Sequence, residues 1–249
     1  TGTPIENRLT ELWSLFRFLN PGLLGSLDSF RRRFEKTFER DNRPRLRRVV
    51  APFLLRRLKS DVLQELPPRT ELTLTVDLSA DELALYESVR RRAEEELEKG
   101  DTMRVLAHLT RLRQACCHPR LLIPESEVAS SKLTALMELV EHLREGNHRA
   151  LVFSQFTSLL DLVQEALDAA GVEYLRLDGA TPASSRQSRV SAFQNGQGDL
   201  FLISLKAGGT GLNLTAADYV VHLDPWWNPA AEDQATDRAH RFGQTRPVT

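Results

Sequence analysis

From Lys132 to Arg241, short apolar runs alternate with amphipathic stretches, and nothing else in the 249-residue chain restricts its fold as strongly. Ala150-Leu151-Val152-Phe153 is continuously apolar, and strand-like runs recur at 173–177, 199–204 and 219–223. Between them, 132–145, 158–170, 183–193 and 229–241 carry helical spacing. A continuous apolar run suits a strand buried on both faces, and strands alternating with helices build a parallel sheet covered on both sides. An α/β fold is expected, with the strands' C-terminal ends on one edge. Ligands of such sheets gather at that edge, so the loops after the strands are where chemistry is sought.

The N-terminal part reads as helical instead. Apolar residues from Asn7 to Leu19 form one stripe, which Asn20-Pro21-Gly22 stops. A second helix is expected over Leu27–Phe38, where Phe30, Phe34 and Phe38 are spaced by four, and a third over Leu46–Leu66, ended by Pro67-Pro68. Thr70–Leu78 alternates with period two, as a short strand or an extended linker would. Ser79-Ala80-Asp81-Glu82 is a capping box that opens a helix running to Glu98, followed by a helix over Thr102–Cys117. Pro119, Pro124 and Ser126–Ser131 mark a linker. The expected division is 1–69, 70–131 and 132–249.

Composition excludes little by itself. The formal net charge is -1, yet Arg31–Arg69 holds 13 basic against 5 acidic residues, and Asp81–Glu98 reverses the balance with 7 acids against 3 bases. A local basic block suits a nucleic-acid backbone, and equally a solvated helix face. Basic residues are 28 Arg and 5 Lys, a skew that points to a GC-rich bacterial genome. No apolar run reaches the roughly 18–20 residues of a membrane span, so no membrane partner is expected. The adjacent pair Cys116-Cys117 suits two reduced thiols in a cytoplasmic protein, and no cluster with metal-ligand spacing accompanies it. The opening Thr1-Gly2-Thr3-Pro4 reads as the middle of a turn-like motif, as expected of a piece of a longer protein.

Two segments carry candidate chemistry. Leu205-Lys206-Ala207-Gly208-Gly209-Thr210-Gly211-Leu212-Asn213 follows an expected strand and could cradle a phosphate, since glycines let amides approach an anion. A tight turn explains it equally well, and it is no Walker A loop, because the chain has no Gly-Lys pair. In the last expected helix, Gln234, Arg238 and Arg241 fall at i, i+4 and i+7 and would share one face. Spacing leaves two readings open: arginines directed at a triphosphate, or surface arginines paired with Glu232, Asp233 or Asp237. Before that helix, Trp226-Trp227 sits in a strand-end loop, where one indole is expected in the core and Trp227 is a candidate nucleic-acid contact. His108, His142 and His148 receive no role. Asp81-Glu82-Leu83-Ala84 is rejected as an acidic metal box, because it opens a helix rather than following a strand.

Taken in order, these segments resemble the Swi/Snf-related branch of helicase superfamily two. The resemblance rests on Thr1-Gly2-Thr3-Pro4-Ile5-Glu6-Asn7, on Pro52-Phe53-Leu54-Leu55-Arg56-Arg57-Leu58-Lys59 with its later Leu66-Pro67-Pro68, and on Val152-Phe153-Ser154-Gln155-Phe156. It continues through Leu177-Asp178-Gly179-Ala180-Thr181 with Arg186 and Phe193, then Lys206–Leu214, then Gln234–Gln244. It implies a RecA-like second lobe over 132–249, cut short at its end, preceded by the end of a first lobe and two helical protrusions.

The same resemblance implies roles. Arg238 and Arg241 would act as arginine fingers on ATP with Mg²⁺, with Gln234 beside them, and Gly209, Gly211 and Asn213 would lie next to the nucleotide. Ser154, Gln155, Asp178, Gly179, Thr181, Arg186, Lys206, Ala207, Gly208, Thr210 and Trp227 would line a track for double-stranded DNA. Thr1, Gly2 and Thr3 would couple nucleotide state to DNA grip. The phosphate-binding loop and Mg²⁺ ligands would belong to a partner first lobe, so the chain alone is expected to be inactive. RNA polymerase or DNA-bound proteins would be further partners, in a bacterial nucleoid, or in a nucleus for a eukaryotic chain. A nucleic-acid or protein-binding module without ATP turnover is the alternative. A dinucleotide enzyme is disfavoured, since no acidic ribose ligand stands about 20 residues after the Gly-rich loop in a βαβ frame.

Overall fold

The structure is a computed structural model, and it describes residues 4–5, 8–35, 42–55, 65–98, 104–207 and 211–249. The chain divides into two compact units, Thr1–Gln64 and Glu65–Thr249.

The first unit holds α1 (Leu9–Leu19), α2 (Leu27–Phe34) and α3 (Asn42–Val50), with a 3₁₀ turn at Ala51–Phe53. Their apolar faces meet in a small core of Leu12, Trp13, Phe16, Phe30, Leu46 and Val50. The Trp13 indole donates to the Gly25 carbonyl at 3.0 Å. Ser26 caps α2 by accepting from the Ser29 amide at 3.3 Å. Of the helix expected over Leu46–Leu66, the described part runs earlier, from Asn42 to Val50. Pro52 disfavours helical backbone at the residue before it and has no amide to donate, so the chain tightens and leaves helix at Leu54 and Leu55. Residues 56–64 lie outside the described residues, as does the end of the helix expected to reach Phe38.

The second unit contains α4 (Ala80–Glu98), α5 (Val105–Ala115), α6 (Ser131–Glu145), β1 (Ala150–Ser154), α7 (Thr157–Ala169), β2 (Tyr174–Leu177), α8 (Ala183–Gln194), β3 (Leu200–Ser204), β4 (Tyr219–His222) and α9 (Pro229–Thr236). Its four strands are parallel, in the order β2-β3-β1-β4. Side chains alternate across the sheet. Ala150, Val152, Leu200 and Leu202 pack with Leu136, Val140, Leu160 and Val163 of α6 and α7. Leu151, Phe153, Phe201 and Ile203 pack with Val190 and Phe193 of α8 and with Ala235 and Ala239. Both faces are thus covered, which is why β1 and β3 are buried throughout and read as unbroken apolar runs.

Thr70–Leu78 forms no strand. One bridge joins Arg69 to Val248, and beyond it Leu72 is 72% and Leu74 66% exposed. The alternation in the sequence is that of an extended linker without a partner strand. The capping box at Ser79 is present: the Ser79 hydroxyl accepts from the Glu82 amide at 3.3 Å, and Glu82 Oε2 accepts from the Ser79 amide at 2.9 Å. Glu82 also reaches α6, accepting from the Ser131 amide at 3.0 Å and from the Ser131 hydroxyl. One buried carboxylate therefore ties the starts of two helices together.

Candidate functional site

The strand-end edge is built from four loops, beginning with the one after β1. Ser154 and Ser204 are register partners at the ends of β1 and β3. Each serine oxygen accepts an amide in its own loop, Phe156 at 3.0 Å and Ala207 at 3.3 Å, and Leu205 donates to the Ser154 carbonyl at 2.9 Å. Ser154 is fully buried. Its hydroxyl shapes the loop by accepting from the Phe156 amide. Gln155 is held by its amide, which donates to both oxygens of Asp224 at 3.2 Å. Burial pushes the Asp224 carboxyl above its ordinary value, against the opposing pull of the Ser154 hydroxyl, of that amide, and of Arg113 and Lys132.

The loop after β2 is a closed turn. Asp178 accepts from the Ala180 amide at 2.9 Å, the Thr181 amide at 3.1 Å and the Thr181 hydroxyl at 3.2 Å, and from Arg176 Nε at 2.9 Å. Burial raises the Asp178 pKa, but Arg176 and the turn's donors outweigh it and hold the carboxyl below its ordinary value. Arg186 reaches over from α8 to the carbonyls of Thr181 at 3.3 Å and Asp178 at 3.2 Å. Asp178, Thr181 and Arg186 are thereby engaged in making the turn, while Gly179 and Ala180 stand exposed at its tip. A methyl built on Gly179 would meet no atom within 4 Å.

In the loop after β3, Lys206 is exposed and Ala207 is buried, so Ala207 can offer only backbone to a ligand. Gly208, Gly209 and Thr210 lie outside the described residues, as do Thr1, Gly2 and Thr3. Gly211 has φ +52, a left-handed conformation that glycine adopts without strain, and Asn213 is exposed.

The last segment departs from the expected helix. α9 stops at Thr236, and Asp237–Ala239 is a turn, so Gln234, Arg238 and Arg241 do not share a helical face. Tertiary bonds explain the break. The Arg238 carbonyl accepts from the Leu214 amide at 2.9 Å, and the Ala239 carbonyl accepts from the Gln244 side chain at 3.1 Å. Those carbonyls would otherwise bond amides one helical turn on. The Gln244 amide group also donates to Thr215 and Ala217 and accepts from Thr245 and Arg246.

The break sets two guanidinium groups differently. Arg238 is 6% exposed, and its Nε is buried with no hydrogen-bond partner. Burial, then the like charge of Arg241, lowers its pKa, while Asp237 opposes the shift. Arg241 is exposed and donates weakly to the Leu212 carbonyl at 3.4 Å. Among the described residues neither forms an ion pair with Glu232, Asp233 or Asp237. Glu232 instead accepts from the Trp226 amide at 2.6 Å, and Asp233 accepts from Arg69 at 3.0 Å.

Between β4 and α9, Trp226 is half-buried and Trp227 is 57% exposed, and Asn228 caps α9 by accepting from the Ala230 amide at 3.1 Å. Arg113 of α5 lies under both indoles. Arg113 and Gln244 carry much of this geometry, yet spacing marks no role for Arg113, because its partners lie far along the chain or are backbone groups. Among the described residues no group of three or more His, Cys, Asp or Glu is placed to hold a metal ion. No helix there is long and apolar enough to cross a membrane.

Two protein families match in tandem: the SNF2-related domain over residues 1–121 and the helicase conserved C-terminal domain over 131–243. The chain belongs to the Swi/Snf-type helicase-like ATPase family. Among its relatives, an uncharacterized ATP-dependent helicase of Mycoplasma pneumoniae is 40% identical over the whole chain and 24% of its own length. The human SWI/SNF-related matrix-associated actin-dependent regulator of chromatin subfamily A member 1 is also 40% identical, over the whole chain and 26% of its own length. The chain thus spans about a quarter of the length of these curated relatives. The Sulfolobus solfataricus SWI2/SNF2 ATPase core in complex with dsDNA is similar over the whole chain and 55% of its own, with 32% identity and a TM-score of 0.64. As in this Swi/Snf neighbour, the sheet with its helices is RecA-like.

Proposed function

We propose that this chain is the C-terminal motor half of an ATP-dependent double-stranded DNA translocase. In this division, 1–69 closes a first lobe and adds a helical protrusion, 70–131 links and adds a second, and 132–249 is the second lobe. The observation that carries the reading is Arg238, a desolvated guanidinium with an unpartnered Nε beside exposed Arg241. A buried guanidinium nitrogen that has no hydrogen-bond partner among the described residues is costly unless an acceptor completes it. A nucleotide phosphate presented by a partner lobe supplies that acceptor. Arg238 and Arg241 then serve as fingers, and Gln234 of α9 lies nearby in the chain.

Bound ATP with Mg²⁺ brings a phosphoryl group whose charge develops in the transition state, and donors aimed at that charge accelerate transfer. The lysine and Mg²⁺ ligands that hold it belong to the partner lobe. The chain alone then turns over no ATP. In this reading Gly211 and Asn213 lie next to the nucleotide, and Gly209, outside the described residues, takes the same role.

Duplex DNA is the proposed track, supported by the dsDNA complex of the Sulfolobus neighbour. Exposed Lys206, Gly179 and Trp227 meet it, with Gln155, Ala207, Gly208 and Thr210 contributing backbone or loop contacts. Ser154, Asp178, Thr181 and Arg186 shape the loops that carry those contacts. Thr1, Gly2 and Thr3 couple the two lobes. Proteins on the DNA, RNA polymerase among them, are what such a motor would displace, in a bacterial nucleoid or a nucleus.

Two assays test the reading. The isolated chain should bind duplex DNA with affinity falling steeply as salt rises and with little base preference, and the full-length protein should hydrolyse ATP faster with duplex DNA. ATP turnover by the chain alone, or DNA binding insensitive to salt, contradicts it.

A further inference from the structure

The loop carrying Trp226 and Trp227 is held from outside the sheet. Arg113, on α5 of the helical segment that precedes the lobe, places its guanidinium carbon 5.1 Å from the Trp227 ring centre, 5.5 Å from Trp226 and 5.7 Å from Phe156. The same group donates to the Pro225 carbonyl and lies 3.6 Å from the buried Asp224 carboxylate. Lys132 at the start of α6 adds a bond to the Leu223 carbonyl at 3.0 Å. Only 18% of the Arg113 side chain is exposed, while Trp227 is 57% exposed beside a cleft of about 240 Å³.

Three rings around one cation, with a carboxylate and a carbonyl at its donors, form a complete site already filled by the chain's own side chain. A planar guanidinium can stack on rings and donate in its plane at once, which a lysine ammonium cannot. Buried Trp usually finds a partner for its ring N–H, but a large indole left half in solvent at a strand-end edge needs something to hold it there. Arg113 is that support.

We propose that Arg113 is the positioning residue for Trp227: it fixes the 224–227 loop so that the indole projects from the strand-end edge against the backbone of the duplex. The helical segment before the lobe would thereby set the strength of the DNA grip. The inference rests on the DNA-translocase reading for its consequence, but not for the contact itself.

The contact is read in the 249-residue chain. Trp13→Phe and Trp226→Phe leave Trp227 as the single indole, since the sequence has three tryptophans. In that background Arg113→Ala should lower the steady-state fluorescence anisotropy of Trp227 and raise its acrylamide quenching about twofold, and Arg113→Lys should restore part of both. In the full-length protein, Arg113→Ala should raise the DNA concentration for half-maximal ATPase stimulation about three- to tenfold, with the change in that concentration rather than in kcat. Trp227→Ala should do the same, and the double variant should add nothing, as for two residues acting through one contact.

Unchanged anisotropy and quenching overturn the positioning role. So does a double variant whose effects multiply. Wild-type turnover that ignores DNA would sink the translocase reading instead, leaving the fluorescence result to decide the contact. Where Arg113→Ala does not fold, Arg113→Lys carries both measurements, because it loses the planar stack on the rings. Wild-type behaviour of Arg113→Lys in both then overturns the proposal.

Discussion

The Leu214 amide donates to the Arg238 carbonyl at 2.9 Å. This bond joins the far end of the Gly-rich loop to the backbone of the desolvated arginine. Arg241 repeats the link through the Leu212 carbonyl at 3.4 Å. A ligand that shifts Leu212 or Leu214 would therefore bear on the segment holding both guanidinium groups. If Lys206 meets DNA and the arginines meet phosphate, as proposed, these bonds link the two contacts.

Gln244 locks the same neighbourhood from the other side. Its buried amide group donates to the carbonyls of Thr215, Ala217 and Ala239 and accepts from two amides. Gln244→Ala leaves buried backbone groups unsatisfied, each costing about 1–3 kcal/mol. Urea unfolding of the chain should show a loss of about 3 kcal/mol, at the large end for a single substitution. A loss below about 1 kcal/mol would show that water replaces the side chain.

Glu82 makes stability depend on pH. Burial raises its pKa, but the donors from Ser131 and Ser79 outweigh that and lower it below the ordinary 4.5. A lowered carboxylate contributes stability that is full above its unfolded value and lost as pH falls through its folded value. Glu82→Gln should therefore cost about 1.5–3 kcal/mol at pH 7, the range for hydrogen bonds to a charged group. The difference in Tm from wild type should shrink steadily below pH 4.5. A difference that stays constant down to pH 3 would contradict the charged-cap account.

Much of the fold is readable from residue spacing, and the exceptions are instructive. The four strands and the helices between them follow from periodicity because both faces of the sheet are covered by local crossovers. Thr70–Leu78 has the period of a strand but no partner, and period alone cannot supply one. The helix after Pro229 continues in spacing to Arg241, yet tertiary bonds from Leu214 and Gln244 take its carbonyls at Arg238 and Ala239. Arg113 has no local mark at all, because its ligand is a carbonyl 112 residues away. At the site, spacing finds the arginines and the glycines but not which side chains build the loops and which face outward.

Gly179 separates those two roles. Its backbone is unstrained and a methyl there meets nothing within 4 Å, so the fold itself does not require glycine. Gly179→Ala should change stability by less than about 0.5 kcal/mol. If the exposed turn tip lies against a DNA backbone, the same change should weaken duplex binding severalfold while melting stays at the wild-type value. Unaltered binding would remove the tip from the proposed track.

The most direct test of the central claim is Arg238→Ala in the full-length protein, with ATP turnover measured at saturating DNA and nucleotide affinity measured in parallel. The finger account predicts a fall in turnover of about 10³–10⁵, with nucleotide affinity changed little. Turnover within about tenfold of wild type would contradict it, since that is only 1.4 kcal/mol of barrier. The buried guanidinium, with its unpartnered Nε, would then be a feature of the fold and not of the motor.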